Sequence, residues 1–125
     1  MNFLLDTHVL IWALENNPTL SDKARSSIIS GENMVFVSSV SVWEIGIKRS
    51  LGKLSTPDNL LEELKLHRFT SLNITHEHAD IAGRLPLLHK DPFDRMLVAQ
   101  AIVENLSVIT RDEQISMYSV KVVQA

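Results

Sequence analysis

Met1-Asn2-Phe3-Leu4-Leu5-Asp6-Thr7-His8-Val9-Leu10-Ile11-Trp12-Ala13-Leu14 is the stretch whose reading decides the fold. Phe3-Leu4-Leu5 is a continuous apolar run with no polar alternation, the pattern of a strand buried on both faces of a parallel sheet. Asp6 ends the run, and Thr7 is placed to cap a helix that is apolar almost all round. With Thr7 as the cap, an acid at Asp6 has nothing to cap. It sits instead at the carboxyl end of a central strand, the edge where open α/β sheets bind ligands.

Outward from that stretch, strands and helices alternate. Ser21 is expected to cap a short helix carrying Leu20, Ala24 and Ile28, ended by Gly31. Met34–Val37 reads as a second buried strand closed by Ser38-Ser39, followed by a helix from about Val40 to Leu51. Val40, Trp43, Ile47 and Leu51 form one apolar stripe along that helix, with Trp43 and Ile47 assigned to the core. Thr56-Pro57 is expected to open a helix carrying Leu60, Leu61 and Leu64. Residues 69–74 alternate as a peripheral third strand would, and Thr75 caps a helix that Pro86 terminates. Asp91-Pro92 is an N-cap and first-position pair for a helix running to Leu106. Ser107–Thr110 and Val120–Val123 complete a predicted α/β fold: a mostly parallel, five-stranded sheet flanked by helices on both faces.

Composition narrows the class. The 125 residues fit one domain, 1–125, and 45% hydrophobic with 22% charged residues is ordinary for a soluble protein. Cysteine is absent, which removes disulfides and thiolate metal sites. No apolar run is long enough for a membrane span and Met1-Asn2 lacks a basic leader, so a cytoplasmic location without membrane attachment is expected. Twelve Lys and Arg against fifteen Asp and Glu give a net charge of −3, which excludes nucleic-acid binding by bulk positive charge. A phosphate-handling site would need a cation to offset its own acids.

Asp6, Glu44 and Asp112 follow the first, second and fourth strands and can converge at one sheet edge. Asp94 lies in the first turn of the helix before the fourth strand, and periodicity does not bring it there. Each acid has a simpler reading: Asp6 as a polar strand end, Glu44 as an exposed helix residue, Asp94 as a complement to the helix dipole, Asp112 as a loop acid. Grouped closely, such acids repel, and without a cation one of them stays protonated near neutrality. Oxygen-only donors suit Mg²⁺ or Mn²⁺, and so phosphodiester chemistry.

The blocks Phe3–His8 with Trp12, 39–45 (Ser-Val-Ser-Val-Trp-Glu-Ile), 89–101 (His-Lys-Asp-Pro-Phe-Asp-Arg-Met-Leu-Val-Ala-Gln-Ala) and 108–112 (Val-Ile-Thr-Arg-Asp) together resemble a PIN domain, more narrowly a VapC-type toxin of a bacterial toxin–antitoxin pair. The resemblance implies strand one in the middle of the sheet and a Mg²⁺- or Mn²⁺-binding quartet, Asp6, Glu44, Asp94 and Asp112. It is this resemblance that assigns Asp94. It implies supporting hydroxyls at Thr7 and Thr110, with Thr7 bonded to a ligand carboxylate or to water, and a structural duty for His89 and Asp91 in ordering the turn and capping the helix. It implies hydrolysis of RNA that leaves 5′-phosphate and 3′-hydroxyl ends, a cognate antitoxin and a homodimer. Lys48, Arg49, Arg95 and Arg111 flank the motifs as candidate RNA contacts.

Other readings remain. A PIN-type nuclease in RNA processing would carry the same acids. A non-catalytic module would use them as an acidic pocket for a basic peptide, with Trp43, Ile47, Leu51, Leu54 and Leu60 as a groove for a partner helix. His76-Glu77-His78-Ala79-Asp80 looks like a metal box, but Ile81 stands where another histidine is required; a surface helix is expected there. Phospho-aspartyl enzymes fail because His8 replaces a second Asp, and receiver domains fail because Leu72-Asn73-Ile74 offers no acceptor Asp.

Overall fold

Leu4 and Leu5 are fully buried and Phe3 nearly so, because their side chains pack against helices above and below the sheet at once. They form β1 (Asn2–Leu5) at the centre of the computed structural model, which describes residues 1–55 and 58–125. Among the described residues the other strands are β2 (Met34–Ser38), β3 (Thr70–Leu72), β4 (Ser107–Thr110) and β5 (Val122–Gln124). They lie in the order β3-β2-β1-β4-β5 with every neighbouring pair parallel. Phe3 is in register with Val35 and Ser107, and Leu4 with Phe36 and Val108.

The period-two pleat divides the core. Phe3, Leu5, Val35, Val37 and Ile109 pack with Val9 and Leu10 of α1 (Thr7–Leu14), Ala24 of α2 (Asp22–Ile29), Ile45 of α3 (Ser39–Ser50) and Leu60 of α4 (Leu60–Leu66). Leu4 and Val108 point the other way, onto Val40 of α3 and Leu97, Val98 and Ala101 of α6 (Pro92–Glu104), beside α5 (His76–Arg84). Helices therefore cover both faces, as expected of a parallel sheet.

The caps follow the sequence with one exception. Ser21, Ser38, Thr75 and Asp91 each accept a first-turn N–H. Asp6, not Thr7, caps α1: its Oδ1 accepts from Val9 N–H at 2.8 Å, and Thr7 is the first helical residue. Two strands are trimmed, since β3 is confined to Thr70–Leu72 and β5 begins at Val122. α6 stops at Glu104, where Asn105 takes the left-handed conformation (φ 56°) that closes the helix. The helix start expected at Thr56-Pro57 lies outside the described residues.

The α3 stripe is a correction. The inward face is Val40, Ser41, Glu44 and Ile45, whereas Trp43 and Leu51 are 61% and 63% exposed. Apolar periodicity misjudged the helix because its inner face carries the polar residues that the sheet edge requires. Trp43 instead packs edge-on against Phe93 of α6, ring centroids 5.3 Å apart.

Candidate metal centre

At the carboxyl edge of the sheet a cavity of about 330 Å³ is lined by Asp6, His8, Trp12, Glu44, His89, Asp91, Asp94, Arg111 and Asp112. All four quartet acids thus reach one space. Asp6 arrives from the end of β1, Glu44 from the second turn of α3 and Asp112 from just beyond β4. Asp94 arrives because α6 turns directly into β4 through Asn105 and so runs back along it, which puts its first turn at the carboxyl edge.

Each acid is held by neighbours. Asp6 is buried, caps α1 through Oδ1 and accepts the Thr110 hydroxyl on Oδ2. Glu44 is buried, takes the Thr7 hydroxyl on Oε1 at 2.7 Å and pairs with Lys48 Nζ through Oε2 at 2.6 Å. Thr7 Oγ1 also lies 3.0 Å from Ser41 Oγ, and the shorter contact is the one to the Glu44 carboxylate. Asp112 accepts Gln114 N–H on Oδ1 at 2.8 Å, and its own N–H donates to Thr110 Oγ1. Asp91 caps α6 by accepting Phe93 and Asp94 N–H on Oδ1.

The crowding of acids shows in their proton affinity. Burial, and then the charges of Asp91 and Asp6, push Asp94 from 3.8 up to about 7. Burial raises Asp6 as well, opposed by the bonds from Thr110 and Val9. Lys48 is held above its usual value, chiefly by its bond to Glu44, and remains an ammonium.

His89 is the functional residue the sequence did not single out beyond a turn-ordering duty. Its Nε2 lies 2.9 Å from Asp94 Oδ2 and 3.0 Å from Asp112 Oδ2. One donor atom from each of these three residues falls within 4.8 Å of the others. Its contact with Asp112 spans 23 positions, and no local pattern reveals it.

The four cations flanking the motifs occupy different settings. Lys48 is bound to Glu44 beside the cavity. Arg111 lies on the rim, over the Trp12 ring at 4.5 Å, and is tied to Thr19 and to the Ala125 carbonyl. Arg49 pairs with Asp58 at 3.8 Å. Arg95 donates to the carbonyls of Ala82, Leu85, Pro86 and His89 and to the Tyr118 hydroxyl, which makes it a clamp on the loop before α6. Residues 76–80 lie on a surface helix, α5, with His76, Glu77, Ala79 and Asp80 exposed; His78 alone is buried, completes a capping box with Thr75 and meets Glu104 at 2.7 Å.

The donor set fits a hard divalent cation. Buried and half-buried carboxylates crowd a small space, and burial with the neighbouring acids raises Asp94 to about 7 even with Lys48 and Arg111 nearby, a charge imbalance that a bound cation would offset.

No match is found among curated protein sequences. Among solved structures the chain is similar to VapBC2 from Rickettsia felis, bound to a DNA fragment from its promoter, at 16% identity, with 98% of each chain covered and a TM-score of 0.73. It is similar to FitAcB from Neisseria gonorrhoeae at 22% identity, covering 98% of this chain and 96% of that one, TM-score 0.66. It is also similar to VapBC-5 from Mycobacterium tuberculosis, of the VapBC family of toxin–antitoxin systems, at 17% identity, covering 99% and 98%, TM-score 0.61. At such identities the likeness is one of fold. The family model described as PIN domain matches residues 3–121, which take in β1 to β4 from Phe3 onward and all of the cavity's acids, and the chain belongs to the PIN domain family.

Proposed function

We propose that this protein is a Mg²⁺- or Mn²⁺-dependent endoribonuclease acting as the toxin of a bacterial toxin–antitoxin pair. The observation that supports it is the convergence of Asp6, Glu44, Asp94 and Asp112 on one cavity in a PIN-family chain. Several of the structures it resembles are toxin–antitoxin complexes, which favours a cognate antitoxin as partner over a role in general RNA processing. A homodimer in the cytoplasm belongs to the same reading. Among the described residues no helix is long and apolar enough to cross a membrane.

The division of labour follows from the contacts. Asp6, Glu44, Asp94 and Asp112 would hold the cation, which when bound would neutralise phosphate charge and activate water for in-line attack on phosphorus. Thr110 and the α1 N-terminus fix Asp6, while Thr7 and Lys48 fix Glu44. Asp94, whose carboxyl is raised to about 7 without metal, would give up its proton to serve as a ligand. A carboxylate of the set would accept a proton from the attacking water as its oxygen bonds to phosphorus and the P–O3′ bond breaks, and that proton would pass to the departing O3′, so that 5′-phosphate and 3′-hydroxyl ends result. Arg111 on the rim and the bound cation supply the attraction to RNA that a net charge of −3 does not.

Purified protein freed of any partner is incubated with structured and single-stranded RNAs in Mg²⁺, Mn²⁺ or EDTA. Cleavage is expected only with metal, with 5′-phosphate ends, and is abolished in Asp6→Asn and Asp94→Asn. Cleavage that survives both substitutions would refute this assignment of the site.

A further inference from the structure

His89 is buried to 7% exposure with Nε2 against both Asp94 and Asp112. Two roles fit these distances. The ring is either a nitrogen ligand beside two oxygen ligands, or an N–H donor that grips both carboxylates. Its other nitrogen separates the two. Asp91 N–H donates to His89 Nδ1 at 3.3 Å, so Nδ1 accepts and the proton of the ring belongs on Nε2. A nitrogen that carries hydrogen has no lone pair for a metal. The backbone keeps the ring in this pose: His89 N–H donates to the Tyr118 hydroxyl at 3.0 Å, and the His89 carbonyl accepts from Arg95 at 3.4 Å.

We propose that His89 is a positioning residue whose Nε2–H donates to Asp94 and Asp112 and sets which carboxylate edges face the cation. The inference rests on the metal-centre reading above. It leaves the site with oxygen donors only, the set that suits Mg²⁺ and Mn²⁺, and without the imidazole nitrogen from which Ni²⁺ would gain most. Outer partners of this kind, when removed, cost roughly 10–100-fold in metal affinity.

The test measures Mg²⁺, Mn²⁺ and Ni²⁺ binding by calorimetry to the unmodified protein, to His89→Ala and to His89→Gln, which keeps an N–H at similar reach. Nitrogen-15 NMR of the imidazole in the unmodified protein, with and without Mg²⁺, reads the tautomer and does not depend on a variant folding. We expect Nδ1 to show an acceptor-type shift and Nε2 a donor-type shift, both retained at saturating Mg²⁺. His89→Ala should weaken Mg²⁺ and Mn²⁺ by the same factor, roughly 10–100-fold, and His89→Gln should restore most of it. Loss of the Nε2 proton on adding Mg²⁺, or a fall in Ni²⁺ binding far exceeding that of Mg²⁺, would make His89 a ligand and overturn the proposal. Equal ion binding by His89→Ala and the unmodified protein would overturn it while leaving the metal centre intact. If the unmodified protein bound neither Mg²⁺ nor Mn²⁺, the metal centre itself would fall, and this inference with it.

Discussion

Asp94 holds its proton up to about pH 7 in the folded chain and only to 3.8 outside it. Between those values the unfolded state releases a proton that the folded state keeps, so stability without metal falls as pH rises from about 4 to about 7. Asp6, raised by burial, contributes with the same sign. Urea midpoints in EDTA should therefore be higher at pH 5 than at pH 8, and Asp94→Asn should remove much of the difference. An unchanged gap in that variant would place the repulsion elsewhere. Thr7 offers a second residue-level test, because its hydroxyl is a donor to the buried Glu44 carboxylate. Thr7→Val should cost about 1–3 kcal/mol in urea unfolding, and Thr7→Ser should cost far less. Sequence made the acids legible but only some of their bonds: the Thr7 hydroxyl bonds a carboxylate, Glu44, as the resemblance implied, whereas the capping of α1 by Asp6 was not foreseen.

α6 carries the acid that spacing alone did not place. The missing step was geometric. A helix that turns into a strand through one left-handed residue, Asn105, must run antiparallel to that strand, so its first turn returns to the carboxyl edge. Leu97, fully buried on this helix against Leu4 and Val108, anchors it to the sheet. Leu97→Ala should cost about 2–5 kcal/mol, measured by chemical unfolding. Metal affinity should hold at temperatures where the variant stays folded, because the acids keep their caps. α3 teaches the opposite lesson. Its apolar stripe was visible but misleading, since the edge claims Ser41 and Glu44 for its inner face and turns Trp43 outward. β1, in contrast, was readable from three residues, because a strand covered on both faces leaves no polar position in its sequence.

At the scale of the whole molecule, the proposed metal centre would make a bound cation part of the stability. Ion binding to the folded chain alone stabilises it by mass action, about 2.7 kcal/mol at a concentration 100 times the dissociation constant. Thermal melts should rise steadily with Mg²⁺ in the unmodified protein and stay flat in Asp94→Asn; parallel rises in both would place the ion outside the cavity. The order of strands has a different consequence, one of timing. β1 lies between β2 and β4, and Asp6 takes its hydroxyl partner from Thr110, 104 positions later. During translation at about 5–20 residues per second, the first strand emerges and waits on the order of ten seconds for the segment that completes its sheet. A ribosome making this chain therefore carries an open strand edge and an unfinished acid cluster until β4 and Asp112 have been made. Until Ser107–Thr110 and Asp112 have emerged, β1 lacks one of its two neighbours and Asp6 lacks the Thr110 hydroxyl that fixes it.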